Sequence, residues 1–181
     1  MNKTLIVNLF AGPGAGKSTM AAGVFYDLKT LGITAELALE FAKDLTWEER
    51  YITIKDQIYI FGKQYHRIYR LLGQVDVVIT DSPLLLTPIY DSEHRELLEK
   101  LAVSEFFKMR NYNVFLLRKK AFNRRGRTQT ETEALKLDMD IINMLDKHNV
   151  IYETSENGPA GKVCIIDKIE KLLKGNLDEK I

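Results

Sequence analysis

The chain has 181 residues, 45% of them hydrophobic and 28% charged, a length and balance that suit one domain with a sizeable core. A formal net charge of +1 gives no global field to draw in nucleic acid or an acidic membrane surface. The single cysteine, Cys164, excludes an intramolecular disulfide, and no apolar run approaches the roughly 20 residues needed to cross a bilayer. Met1-Asn2-Lys3-Thr4 leads straight into an apolar strand with no room for a signal or transit peptide, so a cytoplasmic protein with no membrane partner is expected.

The strand, expected over 4–9, runs into Ala11-Gly12-Pro13-Gly14-Ala15-Gly16-Lys17-Ser18-Thr19 and then into a helix over 17–30. Strand, glycine-rich turn and helix in that order form the context of a P-loop. Glycines at 12, 14 and 16 let successive N–H groups turn inward around an anion, and the helix sets its positive end beneath it. Gly12, Gly14, Ala15, Gly16, Lys17, Ser18 and Thr19 thus read as the phosphate cradle of a nucleoside triphosphate, ATP with Mg2+. Lys17 would reach the phosphates and the Ser18 hydroxyl would be a magnesium ligand.

Leu31-Gly32 reads as the helix end, Ile33–Leu39 as a second strand, and Glu40 lies just beyond it. Thr46 reads as a helix N-cap with Glu48 and Glu49 in the first turn. Ile54, Ile58, Phe61, Tyr65, Ile68 and Leu72 recur at helical spacing, predicting one helix over 51–72 closed by Gly73. Gln57, Gln64 and Arg67 are spaced to share one face of it and could read a substrate base, although an ordinary exposed face would look the same. Trp47 reads as a core anchor or as a cover over a base.

Val75–Asp81 is a buried-strand pattern ending in an acid, where a carboxylate can hold magnesium directly or through water. Ser82 follows on the acceptor side. Pro83 and Pro88 bound a loop, 91–110 reads as a helix, 113–117 as a strand, 130–148 as a helix, 150–153 as a strand and 160–174 as a closing helix. Arg118, Lys119, Lys120, Arg124, Arg125 and Arg127 crowd into one stretch. It reads as a lid over the triphosphate, with Arg124 and Arg127 favoured because Gly126 frees the turn; a solvated basic loop or a nucleic-acid contact are the competing readings. His66, His94 and His148 show no ligand spacing with Cys164, so no zinc site is expected.

Strands alternating with helices imply a parallel sheet with ligands beyond the strand C-termini. The P-loop, Glu40, Thr80-Asp81-Ser82-Pro83 and the arginine-rich segment resemble the P-loop nucleoside and nucleotide kinases. That resemblance implies a three-layer α/β/α P-loop NTPase fold, a five-stranded parallel sheet of order 2-3-1-4-5, and one domain over 1–181 with a mobile lid at about 118–130. It also implies roles: Lys17, Glu40, Asp81, Arg124 and Arg127 as catalytic groups, Ser18 and Asp81 as magnesium ligands, and Gln57, Gln64, Arg67 and Ser82 as acceptor contacts. Gly126-Arg127-x-Gln129 resembles small P-loop proteins of large bacteriophages, so a hydroxymethylated pyrimidine in DNA stands beside a free nucleoside or nucleotide as acceptor. Deoxynucleoside kinases carry Glu-Arg-Ser after strand 3, and nucleotide kinases Asp-Arg or Asp-Gly; Asp81-Ser82-Pro83 matches neither. A regulatory or nucleic-acid-associated ATPase without a small acceptor is the alternative, and the sequence is compatible with monomer or homodimer.

Overall fold

The computed structural model describes residues 4–118 and 131–178. Its centre is β1 (Leu5–Phe10), every residue of which is buried. Parallel strands flank it on both sides: β3 (Val77–Thr80) with Leu5 opposite Val77, and β4 (Arg110–Leu117) with Leu5 opposite Arg110. β2 (Ala35–Leu37) extends the sheet beyond β3 and β5 (Glu153–Glu156) beyond β4, giving the order β2-β3-β1-β4-β5. This is the three-layer architecture and strand order expected.

Alternation along β1 builds two cores. Leu5, Val7 and Leu9 pack against α1 (Lys17–Thr30) and α8 (Pro159–Asp178) through Met20, Val24, Leu28, Ile165 and Ile169. Ile6 and Phe10 face the opposite layer, made of α4 (Gln57–Tyr69), α6 (Arg95–Phe107) and α7 (Glu131–Lys147), with Phe61, Ile68, Phe106, Ile141 and Leu145. Asn8 breaks the apolar run. Its amide donates to the side-chain oxygens of Asn111 (2.9 Å) and Asn113 (3.0 Å), whose own amides donate to Phe106 O and Ile151 O. With these groups satisfied, β4 starts at Arg110 rather than at Asn113.

Other boundaries move for stated reasons. Thr46 is no N-cap: it lies inside α2 (Phe41–Trp47), donating to Ala42 O at 3.0 Å. Glu49, at φ 57, terminates that helix, with Arg50 N–H reaching back to Leu45 O. The single helix expected over 51–72 is two, α3 (Tyr51–Lys55) and α4, because Asp56 leaves the helical region and caps α4 at Tyr59 N. Thr87–Tyr90 forms a short α5 with Pro88 in its first turn, and Asp91 takes the N–H groups of Glu93 and His94 so that α6 starts only at Arg95. The strand expected over 150–153 begins at Glu153 instead. Asn149 at φ 52 closes α7, Val150 N–H returns to Leu145 O, and the Val150 side chain is buried in the core.

Candidate active site

The loop after β1 bends through two left-handed glycines, Gly14 (φ 82) and Gly16 (φ 92), and α1 begins at Lys17. Gly12 is a glycine for another reason: a Cβ there would stand 2.5 Å from Ala134 O of α7 and 2.9 Å from an Asp138 carboxylate oxygen. Asn157, in the β5–α8 turn, closes the far side by donating to Ala15 O at 2.6 Å. The Lys17 ammonium donates to Ala11 O (2.7 Å) and Gly12 O (3.2 Å). Its burial pushes its pKa below the usual lysine value, and the carboxylates of Glu40, Asp81 and Asp138 partly offset this.

Glu40 sits on the tight turn between β2 and α2, and that turn is held at every step. Ala38 O accepts from Thr80 Oγ1 (2.8 Å) and Gln64 Nε2 (3.3 Å). Leu39 O accepts from Arg67 (2.9 Å), Glu40 N–H donates to Asp81 (2.9 Å), and Phe41 N–H donates to Gln64 Oε1 (3.0 Å). Burial pushes the Glu40 carboxyl above the usual glutamate range; Asp81 reinforces this and Lys17 opposes it.

Between the P-loop and this turn lies a cleft of about 320 Å3. Pro13, Gly14, Gly16, Lys17, Ser18 and Thr19 form one wall, Glu40, Asp81 and Ser82 line it between the walls, and Lys43, Thr46, Trp47, Ile54, Gln57, Ile60, Leu86, Thr87 and Tyr90 form the other. Of the residues expected from sequence, Lys17, Ser18, Thr19, Glu40, Asp81, Ser82 and Gln57 therefore meet around one space. Gln64 and Arg67 do not line it. Gln64 is 1% exposed and spent on the Glu40 turn, while Arg67 is tied to Leu39 O and Asp44 and lies 5.2 Å over the Phe41 ring. Arg124 and Arg127 fall outside the described residues. Trp47 is no core anchor: it is 66% exposed at the cleft rim. Tyr90 was not legible as a site residue; it enters through the short α5, and desolvation in the cleft, reinforced by the Glu40 and Asp138 carboxylates, pushes its phenol pKa above the usual tyrosine value.

Ser18 and Asp81 supply two hard oxygen donors to the cleft, a set that suits magnesium, which keeps few protein ligands and fills the rest with water and phosphate oxygen.

Among solved structures, the chain is similar to the APS kinase of Mycobacterium tuberculosis in complex with AMPPNP and APS. That likeness has TM-score 0.51 and 12% identity, over 96% of this chain and 99% of that one. It is also similar to a deoxyadenosine kinase from M. mycoides with dCMP and dCDP bound, at TM-score 0.50 and 14% identity over 96% and 99%. The chain has the P-loop kinase fold. No protein-family model matches it, and no curated protein is significantly similar in sequence. Among the described residues no helix is long and apolar enough to cross a membrane.

Proposed function

We propose that the protein is a kinase that moves the γ-phosphoryl group of ATP to a hydroxyl of a nucleoside-like acceptor. The observation that carries this is the juxtaposition of the P-loop with Glu40 across one cleft, on a turn whose backbone is clamped by Asp81, Gln64, Thr80 and Arg67. The acceptor oxygen attacks phosphorus, the bond to the ADP oxygen breaks, and the Glu40 carboxylate takes the hydroxyl proton. Lys17 and the loop amides hold the phosphates. Ser18 and Asp81 would hold magnesium, which would neutralise charge on the phosphate oxygens.

A hydroxyl suits the described wall better than an acceptor phosphate does. Glu40 and Asp81 are both acids, Arg67 is committed elsewhere, and Lys43 is the cation on the acceptor wall among the described residues. Trp47, Ile54, Ile60 and Tyr90 offer apolar surface to a ring, and Gln57, whose Nε2 donates to Ile54 O at 2.7 Å, keeps its carbonyl oxygen as an acceptor. Trp47, Tyr51 and Ile52 are exposed around the α2–α3 corner, where a base on a longer strand could stack, so DNA bearing a hydroxymethylated pyrimidine belongs in the acceptor panel.

The test is ADP release from ATP and Mg2+ with nucleosides, nucleoside monophosphates and modified-pyrimidine DNA, followed by tracing the labelled phosphate. Label on a hydroxyl of one acceptor is the expected result. Slow hydrolysis that no acceptor stimulates would point to a regulatory ATPase instead.

A further inference from the structure

The Gly12–Pro13 stretch of the P-loop offers few backbone groups, since Pro13 has no N–H. Gly12 contributes an N–H and a carbonyl, and Pro13 a carbonyl. Each of these is taken by a charged side chain. Gly12 N–H donates to Asp138, Gly12 O accepts from Lys17 at 3.2 Å, and Pro13 O accepts from Arg118 Nη1 at 2.7 Å. Arg118 and Asp138 are also joined to each other, Nη2 to Oδ2 at 2.9 Å and Nε to Oδ2 at 3.3 Å. Their side chains are only 12% and 17% exposed, so these charge-assisted bonds act largely out of water. The two residues come from different elements: Arg118 directly follows β4 and Asp138 lies in α7. Neither lines the cleft, whereas Lys17 does.

We propose that Arg118 and Asp138 are positioning residues, a bridge that holds the Gly12–Pro13 arm in its phosphate-binding shape while Lys17 exchanges its carbonyl partners for phosphate. The bridge depends on which atom faces which, and not on opposite charge alone. The arm presents a donor to residue 138 and an acceptor to residue 118. Arginine meets this because its planar fork reaches Asp138 and Pro13 O together; the single ammonium of lysine has no such fork. Inverting the pair keeps the opposite charges but turns a guanidinium toward the Gly12 N–H and a carboxylate toward the Pro13 carbonyl.

The test uses the full chain. ADP affinity is measured by calorimetry with Mg2+, and ligand-free melting by circular dichroism, for wild type, Arg118→Lys, Asp138→Asn and the double inversion Arg118→Asp/Asp138→Arg. Arg118→Lys and the inversion are expected to weaken ADP binding by about tenfold or more. Asp138→Asn falls between them and wild type, because the asparagine oxygen still accepts from Gly12 N–H. Ligand-free melting of the two single variants falls by a few degrees at most, the cost of disturbing a part-buried ion pair, and this fall does not follow the order of the affinity losses. Wild-type affinity in the inverted protein, or in both single variants, would overturn the bridge, as would stability falling in step with affinity. If the inversion fails to fold, the two single variants decide. Because the inference rests on the P-loop binding a nucleotide, wild-type protein that binds no ADP would overturn the proposed function as well; wild-type binding with indifferent variants overturns the bridge alone.

Discussion

Glu40 is half-buried in the cleft, where its charge is disfavoured, and that has a measurable consequence. Only the deprotonated carboxyl can accept a hydroxyl proton, and burial raises its pKa, so kcat/KM should rise with pH along an acid limb lying above the ordinary glutamate range. Glu40→Gln should remove that limb and lower turnover by roughly 100-fold or more, with ADP affinity kept. Wild-type turnover with the limb intact would take Glu40 out of the role. Gln64 tests the turn that carries it. Gln64→Met keeps the length but leaves Phe41 N–H without its partner, at a cost of about 1–3 kcal/mol in denaturant unfolding. Turnover should then fall more than ADP affinity does; equal losses would mean that the turn does not aim Glu40. The glycine turn between β1 and α1 was legible because its parts are contiguous in the chain. The clamp on Glu40 was not, since Gln64, Thr80 and Asp81 approach it only once the sheet has formed. Helical spacing placed Gln57, Gln64 and Arg67 on a common side without saying which would be buried beneath a turn.

At the level of elements, the parallel sheet followed from strands alternating with helices and its strand order from the resemblance to P-loop kinases, while the ends were decided by backbone hydrogen bonding that periodicity does not carry. Val150-Ile151-Tyr152 has the look of a strand, yet Val150 is the apolar contact that seals the end of α7 behind Asn149. Asp56 divides α3 from α4 by offering its carboxylate to Tyr59 N–H, a competition between side chain and helix that a count of apolar positions misses. Gly12 makes the same point about packing between elements. Its lack of a side chain lets α7 lie against the loop, so Gly12→Ala must displace the Ala134 carbonyl or the loop itself. Overpacking of this kind costs about 1–3 kcal/mol. A lower melting temperature in the ligand-free protein is the expected outcome; unchanged melting would mean that α7 shifts freely.

Across the whole molecule, the parallel sheet brings the carboxyl ends of β1, β2 and β3 to one edge, and with them Lys17, Glu40 and Asp81. Acids predominate around the cleft's P-loop lysine: Glu40, Asp81 and Asp138 all act on the Lys17 ammonium, Asp138 being itself paired with Arg118. A nucleotide adds further negative charge, so its binding should depend strongly on a divalent cation entering with it. ADP at about one hundred times its dissociation constant stabilises a protein by about 2.7 kcal/mol. In a chain of this size that is a rise of roughly 5–10 °C in melting temperature. With Mg2+ present, wild type and Glu40→Gln should both show this rise, and Lys17→Ala should show none. In EDTA the rise should fall well below half for wild type, since the phosphates then meet the Glu40 and Asp81 carboxylates with no divalent cation between them. An equal rise with and without Mg2+ would mean that Ser18 and Asp81 hold no cation and that the loop amides outweigh the carboxylates without one.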